Sequence, residues 1–231
     1  MIIILFFVGD YSMKMVFFDT ETTGLDSVED RIIELAFVVV EDGVVVRKYD
    51  EFVDVGVSLS DDVVDLTGIT DELLSAEGVS EKSVADDLMG CLDKGVVMIA
   101  HNCQFDLNFI FQLLVRYYSE DVVLDLFGDM FWLDTLTVFK DRKGYPHKLE
   151  DMVRYYGIEW GSFHRAIDDT LVLCECVKAL NRERNDLVAY FNVFGFNPKW
   201  GVSGIEFDFI RYVPQSFSKS MVGKDFILPL L

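Results

Sequence analysis

Basic residues are scarce in this 231-residue chain: 20 Lys and Arg stand against 40 Asp and Glu, a formal net charge of −20. That balance speaks against a generic nucleic-acid binder, which presents a basic surface to phosphate. Long apolar runs are lacking as well. None approaches the ~20 residues needed to span a bilayer, so neither an integral membrane protein nor a membrane partner is expected. Only four cysteines occur, Cys91, Cys103, Cys174 and Cys176, without C-x-x-C spacing. Cys174 and Cys176 lie two apart in a helical pattern, which points them to different faces, and free thiols in a reducing cytoplasm are the expected state and location. Prolines number four, and no repeat or low-complexity stretch interrupts the chain. What is abundant excludes disorder: 51% of residues are hydrophobic and 14% aromatic. The length suits one compact domain with a small appendage.

The acidity is unevenly spread. Residues 1–139 hold 7 Lys and Arg against 28 Asp and Glu, whereas residues 140–231 hold 13 against 12. At the N-terminus, residues 1–12 form an apolar leader (MIIILFFV at its start) with no basic n-region and no A-x-A-like site, so it does not read as a signal peptide. It reads either as an edge strand or as a start-site artefact, with Met13 and Met15 as alternative starts.

Met15–Phe18 is a short apolar run ending at Asp19, Thr20 and Glu21, followed by a turn at Gly24. Arg31–Val40 and Val44–Val53 are β-branched runs joined by Glu41-Asp42-Gly43, a strong hairpin signal. The spacing of Val84, Leu88 and Leu92 predicts a helix over 80–92, and Val96–Ala100 reads as a strand buried on both faces. Helices are expected over 105–118, 148–156 and 165–180, with a short strand at 130–133. A three-strand antiparallel meander followed by alternating helices and strands describes an α/β fold, a mixed sheet flanked by helices. The domain is expected over 13–181. Beyond it, 182–231 form an aromatic C-terminal extension, with Phe191, Phe194, Phe196, Trp200, Phe207, Phe209 and Tyr212, expected to pack on the domain.

Asp19 and Glu21 are two apart on a strand and share a face. Adjacent carboxylates repel, and a hard divalent cation is the natural remedy. D-x-E alone is a common chance pattern, however. Asp106 follows the buried strand and lies on the helical stripe of Phe109, Ile110, Leu113 and Tyr117. An inward acid there is costly unless paired or metal-bound, although an N-cap role would also account for it. In the helix beginning near Arg165, Asp169 shares the stripe of Ala166, Leu173, Cys176 and Leu180. Asp168 falls on the other face as a first-turn acid facing the helix dipole. His164 precedes that helix on a loop after Gly161 and Ser162, where it could titrate near neutral pH over an activated water.

Read together, these segments resemble the DnaQ-like (DEDDh) 3′–5′ exonucleases of the ribonuclease H-like superfamily. The three motifs are VFFDTETTGL (16–25), AHNCQFDLNF (100–109) and HRAIDDT (164–170), supported by WLDTL (132–136) and HKLEDMVRYYGI (147–158). The resemblance spans roughly residues 14–180 and leans to the proofreading, epsilon-type branch. It implies a ribonuclease H-like mixed five-stranded sheet. It further implies Asp19, Glu21, Asp106 and Asp169 as ligands of two divalent cations, Mg²⁺ or Mn²⁺, and His164 as general base. Thr22, Leu25, Asn102 and Phe105 would bind the terminal nucleotide, with Asp134 as a supporting acid.

The implied activity is metal-assisted hydrolysis from the 3′ end of single-stranded DNA, releasing 5′-mononucleotides in proofreading or repair, with a DNA polymerase or sliding clamp as partner. The alternatives are a 3′–5′ exoribonuclease of the oligoribonuclease or RNase T type, and a catalytically silent polymerase-docking module. A silent module has no need of a clustered acidic site. Two cations would neutralise four of the negative charges. Lys140, Arg142, Lys143, Lys148 and Arg165 are the candidates for phosphate contact, which implies a brief hold on a strand end and a shallow salt dependence.

Overall fold

The structure, a computed structural model, describes residues 7–8, 11–160 and 165–215, with side chains from Met13 onward. Two short strands, β1 (Phe7–Val8) and β2 (Tyr11–Ser12), pair antiparallel ahead of the main sheet. The sheet then opens with β3 (Met15–Thr22), β4 (Ile32–Glu41) and β5 (Val44–Asp54) as an antiparallel meander. Its hairpin turn uses Asp42 at φ 51° and Gly43 at φ 75°. Two consecutive left-handed residues match the twist of the flanking strands, which is why Asp-Gly suits this position.

Helices α1 (Asp61–Thr67), α2 (Asp71–Glu77) and α3 (Glu81–Met89) follow, with the two-residue strand β6 (Val79–Ser80) before α3. Then come β7 (Val97–Ala100), α4 (Cys103–Val115), α5 (Glu120–Gly128), β8 (Phe131–Asp134), α6 (Thr135–Arg142), α7 (Leu149–Tyr156) and α8 (Ala166–Glu183). A 3₁₀ turn at Leu187–Tyr190 leads to β9 (Val193–Phe196) and β10 (Arg211–Pro214), which pair parallel.

The sheet order is β6-β5-β4-β3-β7-β8, with β7 and β8 parallel to β3. It thus has six strands rather than the expected five. The sixth, β6, is two residues long and runs parallel to the end of β5, too short to leave any periodicity in the sequence. Sequence reasoning also passed over α1, α2, α5 and α6. Ser60 and Thr70 cap α1 and α2 with their side chains, and acids fill both first turns. Those cap signatures were readable and were the available signal.

Alternation along β3 divides its side chains between two cores. Val16 and Phe18 face the core built by α3, α4 and α5, while Met15 and Phe17 face the one built by α6, α7 and α8. The segment after α8 spans both: Phe194, Phe207 and Ile210 join the first core, and Leu187, Tyr190, Val193 and Val213 join the second. It also shields the β8 edge. Asn192 takes the Trp132 N–H on Oδ1 at 2.8 Å and returns its own N–H to the Trp132 carbonyl at 2.8 Å. An edge strand covered in this way offers no free ladder to another chain. All four cysteines are buried free thiols. Among the described residues, no helix is long and apolar enough to cross a membrane.

Candidate active site

Asp19 and Glu21 continue the Met15–Phe17 alternation, so both point to the α8 side at the C-terminal end of β3. Asp169 lies in the first turn of α8, which packs directly on β3. Asp106 arrives from the opposite layer, on α4. It is 3% exposed, and its Oδ1 accepts the Thr20 backbone N–H at 3.1 Å and the Thr20 hydroxyl at 2.7 Å. Thr20, the middle residue of the D-T-E motif, therefore ties the α4 acid to the strand end. Sequence reading gave it no role.

Asp106 is the fourth residue of α4 and does not cap it. The N-cap is Asn102, left-handed at φ 72° with no side-chain cap bond. The N-cap account of Asp106 is thereby excluded. Asn102 is one of the few residue types that tolerate this conformation. Asp134 holds it there: its Oδ1 accepts the backbone N–H of Asn102 at 3.0 Å and of Cys103 at 3.2 Å. The same carboxylate caps α6 through the N–H groups of Leu136 and Thr137. Asp134 thus joins the start of α6 to the start of α4 and fixes the approach of Asp106.

The electrostatics follow from burial and like charge. The Asp19 carboxyl is pushed well above the ordinary range by desolvation first, then by the charges of Asp106, Glu21, Asp169 and Glu34. Glu21 is raised to about 7 by burial and by Asp169 and Asp106. Asp106 is also raised to about 7, by burial, against the lowering effect of its Thr20 bonds. Four acids from three elements therefore share one field. No three described Asp, Glu, His or Cys side chains already stand as ligands about a single point. In chemistry the set still fits a hard divalent cation: every donor is a carboxylate oxygen, and only added positive charge relieves the mutual repulsion.

Glu34 and Arg165 form a second layer. Glu34 sits opposite Glu21 in the β3–β4 register and is 1% exposed. Its Oε1 accepts from Arg165 Nε at 3.1 Å, and Arg165 also reaches Asp50 Oδ2 at 3.3 Å and lies over the Phe52 ring. Burial raises the Glu34 carboxyl to about 7, with Arg165 opposing that rise. Arg165 is the N-cap residue of α8, so this clamp fixes the chain immediately beside His164. His164 itself lies outside the described residues.

The expected nucleotide-binding residues occupy separate places around the strand end. Thr22 is buried and donates its hydroxyl to the Gly24 carbonyl at 2.6 Å, which shapes the turn. Leu25 stands 87% exposed at the tip of that turn. Phe105 packs on Phe109, with ring centroids 4.9 Å apart. Leu25 and Phe105 line one cleft, and Asn102 serves the backbone of the α4 entry. Among the basic candidates, Arg142 is removed by the structure. Its side chain is 3% exposed and bound to the Leu180 carbonyl and to Asp186. Lys143 pairs with Glu183, and Arg165 is held as described above. These cations came from composition, which does not reveal that acids of their own chain occupy them.

A mixed sheet flanked by helices, with an acidic cluster where its interior strand ends, is the ribonuclease H-like nuclease architecture. A family model described as an exonuclease matches residues 16–177. The chain belongs to that exonuclease family, the DnaQ-like (DEDDh) group. It is 34% identical over 161 residues to the DNA polymerase III PolC-type of Pediococcus pentosaceus, covering 68% of this chain and 10% of that protein. With the PolC-type polymerase of Latilactobacillus sakei it shares 33% over 195 residues, covering 83% and 13% respectively. The chain therefore spans about a tenth of the length of these relatives. In fold it is similar to E. coli exonuclease I in complex with a dA16 oligonucleotide, at TM-score 0.65 and 18% identity, over 77% of this chain and 42% of that one.

Proposed function

We propose that this chain is a metal-dependent 3′–5′ exonuclease that removes 5′-mononucleotides from the 3′ end of single-stranded DNA, in proofreading or repair beside a DNA polymerase. The observation that carries this reading is the shared field of Asp19, Glu21, Asp106 and Asp169 at the end of β3. The relatives' name, a polymerase, and the neighbour's title, a nuclease with a deoxyoligonucleotide, favour DNA. The four carboxylates would hold two Mg²⁺ or Mn²⁺ ions, which when bound supply an acidified water and charge neutralisation at phosphate.

The chain's own residues do the rest. Thr20 orients Asp106 towards the strand end. His164, beside the clamped Arg165, accepts the proton of the attacking water. Leu25 and Phe105 receive the terminal nucleotide, with Thr22 and Asn102 shaping the turn and the helix entry around it.

The test is degradation of 3′-labelled and 5′-labelled single-stranded DNA and RNA with Mg²⁺, with Mn²⁺ and with EDTA. Mononucleotide release from the 3′ end, abolished by EDTA and faster on DNA, is the expected result. Full metal-dependent activity in Asp19→Ala would refute the site, and faster RNA cleavage would refute the substrate.

A further inference from the structure

The segment after α8 does more than cover a sheet edge. A cleft of about 530 Å³ opens beside the acidic cluster, walled by Leu25 and Val28 on the β3 turn, by Phe105 and Phe109 on α4, and by Ser203 and Ile205 from this segment. Phe105 immediately precedes Asp106 and Leu25 follows Glu21 by four residues, so the cleft is walled by the same two segments that carry those acids.

Its third wall is pinned in place. The Gln104 amide donates to the carbonyls of Ser203 at 3.0 Å and Ile205 at 2.7 Å. The buried Asn108 amide donates to the Ser203 carbonyl at 3.0 Å and accepts the Ile205 N–H at 3.0 Å. Gly204, at φ +76°, lies so close that a Cβ there would stand 2.3 Å from Asn108 Nδ2. Both amides lie one turn apart on one face of α4.

Just before this wall, an Asn197–Gly201 turn displays Trp200. Asn197 Oδ1 accepts the Lys199 N–H at 3.0 Å, and the Asn197 carbonyl accepts the Trp200 N–H at 2.9 Å. Trp200 is 74% exposed, the most exposed aromatic among the described residues. The Lys199 ammonium lies 4.3 Å from its ring centroid and enters no ion pair among the described residues.

We propose that the 197–205 loop extends this cleft, which receives the terminal nucleotide between Leu25 and Phe105, into a subsite for the unpaired bases upstream of that nucleotide, with Trp200 as a stacking platform and Lys199 beside the phosphate chain. This deepens the exonuclease reading and rests on it. The chemistry of the cleft selects the occupant. Its lining sets the apolar Leu25, Val28, Phe105, Phe109 and Ile205 against the neutral polar Ser27, Asn108 and Ser203, and Asp26 is its one charged residue, so it suits an uncharged planar base with hydrogen-bonding edges rather than a phosphate. Lys199 sits outside the lining, next to the tryptophan, where a backbone would pass. Because the loop is held by four hydrogen bonds to side chains of α4, it is ordered before the strand arrives, which reduces the cost of binding.

The test compares the full chain with Trp200→Ala on thymidylates of increasing length, together with anisotropy binding of dodecathymidylate in EDTA. The expected result is that the ratio of kcat/KM on dodecathymidylate to that on the dinucleotide falls about 5- to 150-fold in the variant, the ordinary worth of one base–aromatic stack. Binding of the longer strand weakens by a similar factor. Asn108→Ala, which frees the wall, lowers the same ratio. An active enzyme whose length ratio and binding are the same with and without Trp200 overturns the subsite. An inactive wild type that still binds dodecathymidylate through Trp200 overturns the nuclease reading while supporting the subsite.

Discussion

Asp106→Asn should make the metal-free protein more stable while destroying its activity. The carboxyl is 3% exposed, and its pKa stands at about 7 instead of 3.8, chiefly through burial. With a raised pKa, the folded state holds more protons than the unfolded chain between about pH 4 and 7, so stability falls as pH rises through that window. At pH 8 the ionised group costs the fold up to about 4 kcal/mol at 1.36 kcal/mol per pH unit, and relaxation around coupled acids reduces this to about 2. Asparagine keeps the oxygen that accepts both Thr20 hydrogen bonds and loses the charge. The expected melting temperature at pH 8 in EDTA is therefore about 4–8 °C higher than wild type, and the difference closes by pH 4. Mg²⁺ or Mn²⁺ should raise the wild-type midpoint more than the variant's, because a ligand is gone. A variant that melts lower at pH 8, or whose difference from wild type does not change with pH, would show that Asp106 is not held ionised against its surroundings.

Other variants probe the supporting layers. Arg165→Ala leaves Glu34 buried without its cation and should cost about 1–3 kcal/mol in urea melts at pH 8, discounted because Arg165 is half exposed. That cost should shrink below pH 7, where Glu34 takes up a proton. Asp134→Ala removes the acceptor for α6 and for Asn102 and Cys103, which should cost about 2–4 kcal/mol and reduce kcat along with the melting temperature. Leu25→Ala should leave stability within about 0.5 kcal/mol, since the side chain is 87% exposed, yet raise KM for oligonucleotides. Titrating salt should weaken oligonucleotide binding with a logarithmic slope no steeper than about −2 to −3, because Arg142, Lys143 and Arg165 are engaged by their own acids. A slope reporting many phosphate contacts would contradict that.

Much of the site was legible along the chain because strand and helix periods are local. A two-residue repeat puts Asp19 and Glu21 on one face whatever surrounds them. The 3.6-residue stripe puts Asp169, rather than Asp168, on the inward side of α8, and Asp169 is the acid whose charge reaches Asp19 and Glu21. The hairpin at Asp42-Gly43 was equally local, because its signal is the left-handed preference of two adjacent residues.

Other features depended on partners far away in sequence. Asp106 could be an N-cap or an interior acid until Thr20, 86 residues earlier, was seen to hold its oxygen. Arg142 looked like a phosphate contact because its hydrogen bonds to the Leu180 carbonyl and Asp186 lie 38 and 44 residues downstream. The acidic composition was determined by the chain alone, as were the motif order and the faces of the strand and helices. Only the tertiary structure decided which charges neutralise one another and which remain gathered at the end of β3. It also decided that the aromatic extension builds a wall of the cleft, through Gln104 and Asn108. The physical reason is range: periodicity acts over a few residues, whereas hydrogen bonds and Coulomb fields act over a few ångströms of space that only the fold brings together.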